Sequence, residues 1–233
     1  MESKVVVVTG ARKGLGKMLA EYFLSEGHYV YGMSRKRQSI EHSRYMHFTL
    51  DVNDEGGVVQ MIRHIYKERG HIDILINNAG IASMNHFLLT PYETAQNIMN
   101  TNFFGTFLMC REVSKIMSKR KTGKIINFSS VAVPLNLEGE LAYSASKAAV
   151  EQLTRVLARE LAPNNICVNA VGPTPIATDL IATVPKEKIE KLLSRQSFNR
   201  LGKFEDVLAV VKFFASEEAH FITGQIIYLG GVN

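Results

Sequence analysis

The sequence predicts an α/β fold: a single-domain, doubly wound parallel sheet of about seven strands with helices on both faces. Three features carry this prediction. Short apolar runs rich in β-branched residues recur along the chain, longer amphipathic stretches separate them, and no repeat or low-complexity linker divides the 233 residues. Strands covered on both faces by crossover helices form parallel sheets with right-handed connections. A chain of this length fills one core without needing a second domain, so residues 1–233 read as one unit.

The strand runs, in order, are KVVVVT, HYVYGM, YMHFTL, IDILIN, GKIINF, ICVNAV and QIIYLG. Valine and isoleucine are stiff at χ1 and pack well on a pleated surface, and each run is of strand rather than helix length. Between them, helical spacing of apolar residues predicts helices near 14–26, 54–69, 91–119, 142–162, 186–195 and 205–216. The longest irregular stretch runs from Gly172 to about Pro185. A long loop beyond a strand end often covers a site, so a mobile substrate lid is expected over about 172–200.

Composition narrows the function classes. With 46% hydrophobic and 21% charged residues and no apolar run long enough to span a bilayer, the chain reads as a soluble, cytoplasmic protein with no membrane partner. Cys110 and Cys167 lack metal or redox spacing, so they read as reduced buried thiols, and no metal site is expected. The formal charge of +5 suggests attraction to anions. The basic residues form no aromatic-and-basic stripe, which argues against nucleic acid.

The first strand runs into Thr9-Gly10-Ala11-Arg12-Lys13-Gly14-Leu15-Gly16 and then into a helix-like segment. Three glycines permit a tight turn and close backbone approach, and the helix start offers free N–H groups and a positive dipole end to a pyrophosphate. This strand, turn and helix order is that of a Rossmann-type dinucleotide site, although the spacing is GxxxGxG rather than GxGxxG. Where an NAD site usually places a carboxylate, the second strand ends in Met33-Ser34-Arg35-Lys36-Arg37. Ser34 is neutral, Arg35 follows it, and Lys13 could add a second charge, so NADP(H) is expected. Lys36 and Arg37 read as a solvated loop.

In Tyr143-Ser144-Ala145-Ser146-Lys147, the tyrosine and lysine are four apart and share one helix face. A phenol of pKa about 10 needs roughly 4 kcal/mol of help to act as a base near pH 7. An ammonium about 4 Å away supplies about that much at an effective dielectric near 20. Alone, this spacing is common on helix surfaces.

Together with its neighbours it resembles the short-chain dehydrogenases/reductases over nearly the whole chain. TGARKGLG is similar to that family's cofactor turn, Asp51-Val52 to the pair near the adenine, and Asn77-Asn78-Ala79-Gly80 to its NNAG. Asn102 in NTNFFGTF resembles the helix asparagine, and Ser130 stands thirteen residues before Tyr143 as the family spaces them. Arg200-Leu201-Gly202 and ITGQIIYLGG resemble the carboxyl-terminal signature.

The resemblance implies a tetrad. Tyr143 would exchange a proton with a carbonyl or hydroxyl oxygen while hydride moves to or from the nicotinamide, and Ser130 would hold that oxygen. Lys147 would lower the tyrosine pKa and bind the nicotinamide ribose, and Asn102 would position a water linking Lys147 to solvent. The cofactor-binding set is then Gly10, Arg12, Lys13, Gly14, Leu15, Gly16, Ser34, Arg35, Asp51, Val52, Asn78, Ala79, Gly80, Tyr143, Lys147, Pro173, Ile176 and Thr178. One position departs from the pattern: Thr174 stands where the family usually has glycine after Pro173. A β-branched residue avoids positive φ, so ordinary backbone angles are expected there, and Pro175 stiffens the turn.

Val131, Leu135, Leu137, Leu180 and Ile181 are expected to line a small-molecule carbonyl or alcohol site. The basic cluster Lys115, Lys119, Arg120, Lys121 and Lys124 could instead attract a carrier-linked acyl substrate, or serve solubility and the helix dipole. The resemblance also implies a homotetramer or homodimer. The rival reading is a non-catalytic dinucleotide-binding sensor of the same fold, which would have little use for Ser130, Tyr143 and Lys147 together.

Overall fold

The structure, a computed structural model, describes residues 3–37, 40–177 and 184–232. Its seven strands are β1 (Val5–Thr9), β2 (Tyr29–Ser34), β3 (Tyr45–Thr49), β4 (Ile74–Asn77), β5 (Gly123–Phe128), β6 (Ile166–Gly172) and β7 (Ile226–Tyr228). They form one parallel, Rossmann-type sheet in the order β3-β2-β1-β4-β5-β6-β7. The chain winds outward from β1 to β3, then returns to the other side of β1 as β4. That reversal leaves a crevice at the carboxyl ends of β1 and β4.

The helices are α1 (Gly14–Ser25), α2 (Glu55–Arg69), α3 (Tyr92–Met99), α4 (Gly105–Arg120), α5 (Ala132–Leu135), α6 (Leu141–Leu161), α7 (Lys186–Leu193) and α8 (Phe204–Ala215). Apolar stripes of α2 and α4 bury against one sheet face, with Val7, Leu75, Ile125 and Val168. Those of α1 and α8 bury against the other, with Val6, Val8, Ile76 and Ile126. Val5 to Val8 are at most 1% exposed, and each such side chain contributes about 1.5–3 kcal/mol relative to remaining in water. Local signals set the helix ends. The Asp54 side chain accepts from Gly57 N–H to start α2, and Gly70 ends it in the left-handed region.

The single helix expected over 91–119 is instead two, joined by one wide π-helical turn at Asn100–Phe104. The cause is tertiary: the Asn102 side chain is drawn to backbone outside its own helix, described below, and such wide turns recur at functional sites. Helix α5 was not expected, and α7 falls within the stretch read as a lid. Thr174 has no positive φ, as its β-branching requires. Thr178, Leu180 and Ile181 lie outside the described residues.

Candidate active site

The glycine turn leaves β1 at Thr9 and enters α1 at Gly14. Gly10 has φ +70°, a conformation that costs a side-chain-bearing residue. Gly16 lies so close to the Gly10 carbonyl and the Asn78 amide that a Cβ would collide with both. Asn78 Nδ2 donates to Thr9 O at 3.1 Å, and Thr9 Oγ1 accepts from Ala79 N–H at 2.9 Å, binding the turn to the end of β4. The start of α1 carries no side-chain cap, leaving helix N–H groups for another acceptor. A bare, glycine-lined helix start of this kind fits the pyrophosphate of a dinucleotide.

Beside the turn lies a cavity of about 480 Å³, lined by Leu15, Asn78, Gly80, Pro173 and Ile176 together with Ser130, Tyr143 and Lys147. A second cavity of about 560 Å³ is lined by Arg35 and Asp51, and Ile81 borders both. Arg12 lines neither. Val52 instead packs on Gly105 so closely that a Cβ there would meet its side chain. The Ser34 hydroxyl donates to Lys36 O at 2.7 Å.

Tyr143 and Lys147 sit on the first turns of α6, facing the end of β5. Ser130 Oγ accepts Ala132 N–H at 3.1 Å, and Ser130 and Tyr143 line the same cavity. Burial pushes the phenol up to about 12, opposed by the Ser130 hydrogen bond and reinforced by the Glu140 carboxylate. Lys147 is buried, 5% exposed. Its Nζ donates to Phe128 O at 2.8 Å and stands 5.8 Å from the Tyr143 ring centre. Burial pulls the ammonium down to about 8. In the protein alone the ammonium is thus engaged by a backbone carbonyl, and burial is the largest influence on the phenol.

Asn102 is fully buried in the wide turn. Its Nδ2 donates to Ile81 O and to Ser146 Oγ, both at 2.9 Å, and its Oδ1 accepts Ile81 N–H at 2.8 Å. A Cβ on Gly80 would stand 3.3 Å from Asn102 Oδ1 and 3.5 Å from Lys147 Nζ. Asn102 and Lys147 thus flank the same glycine, with both amide hydrogens of Asn102 already engaged.

Sequence reasoning missed two supports. Ser146 receives the Asn102 bond and donates to Tyr143 O at 2.7 Å. Glu151, buried behind the site, accepts from Ser129 Oγ and Tyr228 OH on one oxygen, both at 2.5 Å, and from Arg155 on the other at 3.4 Å. The Ser-x-x-x-x-Glu spacing on one helix was the only available signal.

Of the apolar residues expected at a substrate site, Val131 and Leu137 line the first cavity. Leu135 does not; it packs with Leu192 and Val232. Thr174 Oγ1 donates to Gln196 Oε1 at 2.6 Å, tying the turn after β6 to the segment after α7. Much of the basic cluster is engaged within the chain: Lys115 with Glu112 at 2.7 Å, Lys119 over the Tyr66 ring, and Arg120 with Asp73 at 3.7 Å. Cys110 and Cys167 are free and buried. Among the described residues no His, Cys, Asp or Glu group could hold a metal ion, and no helix is long and apolar enough to cross a membrane.

A family model described as enoyl-(acyl carrier protein) reductase matches residues 10–233. The 3-oxoacyl-(acyl-carrier-protein) reductase FabG of Haemophilus influenzae is 33% identical over 237 residues, covering 99% of this chain and 98% of the relative. The NAD-dependent glycerol dehydrogenase of Listeria innocua is 37% identical over 238 residues, covering 98% and 92%. Among solved structures, ElxO with NADP bound is similar with a TM-score of 0.90 at 31% identity, covering 98% of this chain and 97% of that one.

Proposed function

Because this chain belongs to the short-chain dehydrogenase/reductase family, oxidoreductases acting on alcohol and ketone groups, we propose that it interconverts a carbonyl and a secondary alcohol with NADP(H), Tyr143 serving as general acid and base. When bound, the nicotinamide supplies or accepts the hydride at the carbonyl carbon.

The observation that carries this reading is the Tyr143 phenol, buried beside Ser130 and Lys147 on the wall of the cavity that begins at the glycine turn. In reduction Tyr143 passes its proton to the substrate oxygen, while Ser130 donates to the same oxygen and stabilises the charge developing there. A phenol held up to about 12 stays protonated at pH 7, which suits it to be the acid. Lys147, tethered to Phe128 O, lies where it can meet a ribose hydroxyl, and Asn102 holds the Ile81 backbone at the junction of the two cavities.

Arg35 lining the second cavity, with no carboxylate at Ser34, supports a 2′-phosphate and hence NADP(H) over NAD(H). The FabG relatives make a carrier-linked acyl group one substrate class to test, although the basic cluster is largely satisfied within the chain. The stretch of about 172–200, of which 178–183 lie outside the described residues, serves as the substrate lid. Phe107 and Val156, each 40% exposed on α4 and α6, support a homotetramer or homodimer through those helices.

The test is single-turnover oxidation of NADPH and of NADH against acetoacetyl-thioester, hexose and small-ketone substrates. NADPH is expected to be oxidised faster by wild type, with a loss of about a hundredfold or more in Tyr143→Phe and cofactor binding retained. Binding without turnover of any carbonyl, in both proteins, would establish the sensor reading instead.

A further inference from the structure

A chain of hydrogen bonds runs along one sheet face from the start of β3 toward the carboxyl end of β2. Tyr45 and His47 are two apart on β3, and Gly32 and Ser34 two apart on β2, so each pair shares a face. Gly32 is paired in register with His47. A Cβ on Gly32 would collide with the Tyr45 hydroxyl, so the missing side chain is the space that hydroxyl occupies. Tyr45 OH lies 2.8 Å from His47 Nδ1, His47 Nε2 lies 2.9 Å from Ser34 Oγ, and Ser34 Oγ lies 2.7 Å from Lys36 O.

The far end of this chain sets its direction. A carbonyl can only accept, so Ser34 donates to Lys36 O. The Ser34 oxygen then accepts, His47 carries its proton on Nε2, and Nδ1 accepts from Tyr45. Burial holds the imidazole below its usual range and the phenol above its own, so both stay neutral near pH 7 and the chain keeps its polarity. The Ser34 hydrogen is thus spent on the turn and is not offered to a ligand. What the turn presents is Arg35, exposed and the cation lining the second cavity, where Asp51 Oδ1 already accepts Asn53 N–H at 2.9 Å.

We infer that His47 is a positioning residue for recognition of the cofactor's 2′-phosphate: through Ser34 it holds the Ser34–Lys36 turn so that Arg35 stands at the adenosine end of the site. This rests on the NADP(H) reading. An arginine meeting a phosphate depends on donor geometry as well as charge, so loosening the backbone that carries it weakens phosphate binding while leaving the adenosine contacts intact.

The experiment is calorimetric titration of the whole protein with 2′,5′-ADP and with 5′-AMP, in wild type, His47→Leu and His47→Gln, with melting temperatures recorded. Wild type is expected to prefer 2′,5′-ADP. His47→Leu should lose about tenfold in affinity for 2′,5′-ADP and little for 5′-AMP, and His47→Gln, which can still extend an N–H toward Ser34, should retain most of the preference. The inference is overturned if His47→Leu keeps the wild-type preference, if both ligands weaken equally, or if the glutamine behaves as the leucine. A wild type with no preference for 2′,5′-ADP removes the NADP(H) reading itself, and the inference with it, before any variant is considered.

Discussion

Asn102 grips Ile81 by both of its backbone polar groups, donating to the carbonyl at 2.9 Å and accepting from the N–H at 2.8 Å. Ile81 borders both cavities, so this clamp fixes the strip of chain between the adenosine end and the reacting end of the proposed site. The wide turn at Asn100–Phe104 is the structural consequence, since a regular helix would not place the carboxamide there.

Removing the clamp should therefore destabilise the protein. Asn102→Ala strands the Ile81 N–H and carbonyl and takes one partner from Ser146, and buried polar groups left unpaired cost about 1–3 kcal/mol each. A net loss of about 3 kcal/mol is expected in urea denaturation, with turnover falling as well. Asn102→Asp should be no better, because a carboxylate would face the Ile81 carbonyl. An alanine variant within about 1 kcal/mol of wild type would show that Ile81 is held by other means.

Lys147 makes stability depend on pH. Its folded value, about 8, lies below the unfolded 10.5, so the folded chain binds fewer protons between them. The contribution is fully present above about 10.5 and is lost as pH falls through about 8. Relative to Lys147→Met, wild type should gain on the order of 3 kcal/mol between pH 7 and 10.5. Tyr143, raised from 10 to about 12, acts oppositely, but its contribution is lost only as pH rises through that higher range. Denaturant curves of both proteins at pH 7, 8.5 and 10 check the slope; parallel values would mean that Lys147 titrates as an exposed lysine.

The seven strands were legible because a parallel sheet buried on both faces leaves an unmistakable run of β-branched residues between turns, as in Val5–Val8. The spacing of Ser130, Tyr143 and Lys147 was legible because it lies on two local elements. The break at Asn100–Phe104 was not, since NTNFF carries no proline or glycine and the bond from Asn102 to Ile81 that accompanies it is long-range. Glu151 was hidden for the same reason. A glutamate on a helix ordinarily faces water, and its Tyr228 partner lies 77 residues further along. The raised phenol of Tyr143 reflects desolvation, which helix spacing cannot report.

Thr174 should prove to be a gain of this sequence rather than a defect. Its hydroxyl is buried and donates to Gln196 Oε1, while Gln196 Nε2 is already without a partner in the described structure. Thr174→Val keeps the shape and leaves the Gln196 amide with no bond from that turn, which should cost about 2 kcal/mol. Thr174→Gly, the family's usual residue, should cost at least as much, because it also removes the methyl packed on Gly202. Chemical denaturation decides it, and an unchanged midpoint in Thr174→Val would mean that the bond contributes nothing.

The Glu151 carboxylate should couple Ser129 to Tyr228. Both hydroxyls donate to the same oxygen, and Ser129 immediately precedes Ser130, so β5, α6 and β7 meet at one buried charge. Glu151→Ala leaves the buried Ser129 hydroxyl and the half-buried Tyr228 hydroxyl unpaired and should cost about 3 kcal/mol, whereas Tyr228→Phe removes a single donor and should cost about 1–1.5 kcal/mol. Once the carboxylate is gone, the Tyr228 hydroxyl has no acceptor there. The double variant should then be little worse than Glu151→Ala alone, giving a coupling of about 1 kcal/mol in a double-mutant cycle. Strict additivity would mean that the two groups do not share the bond. A network that also positions Ser130 should lower turnover more than it alters cofactor affinity, and Glu151→Gln, which keeps one acceptor oxygen, should recover part of both losses.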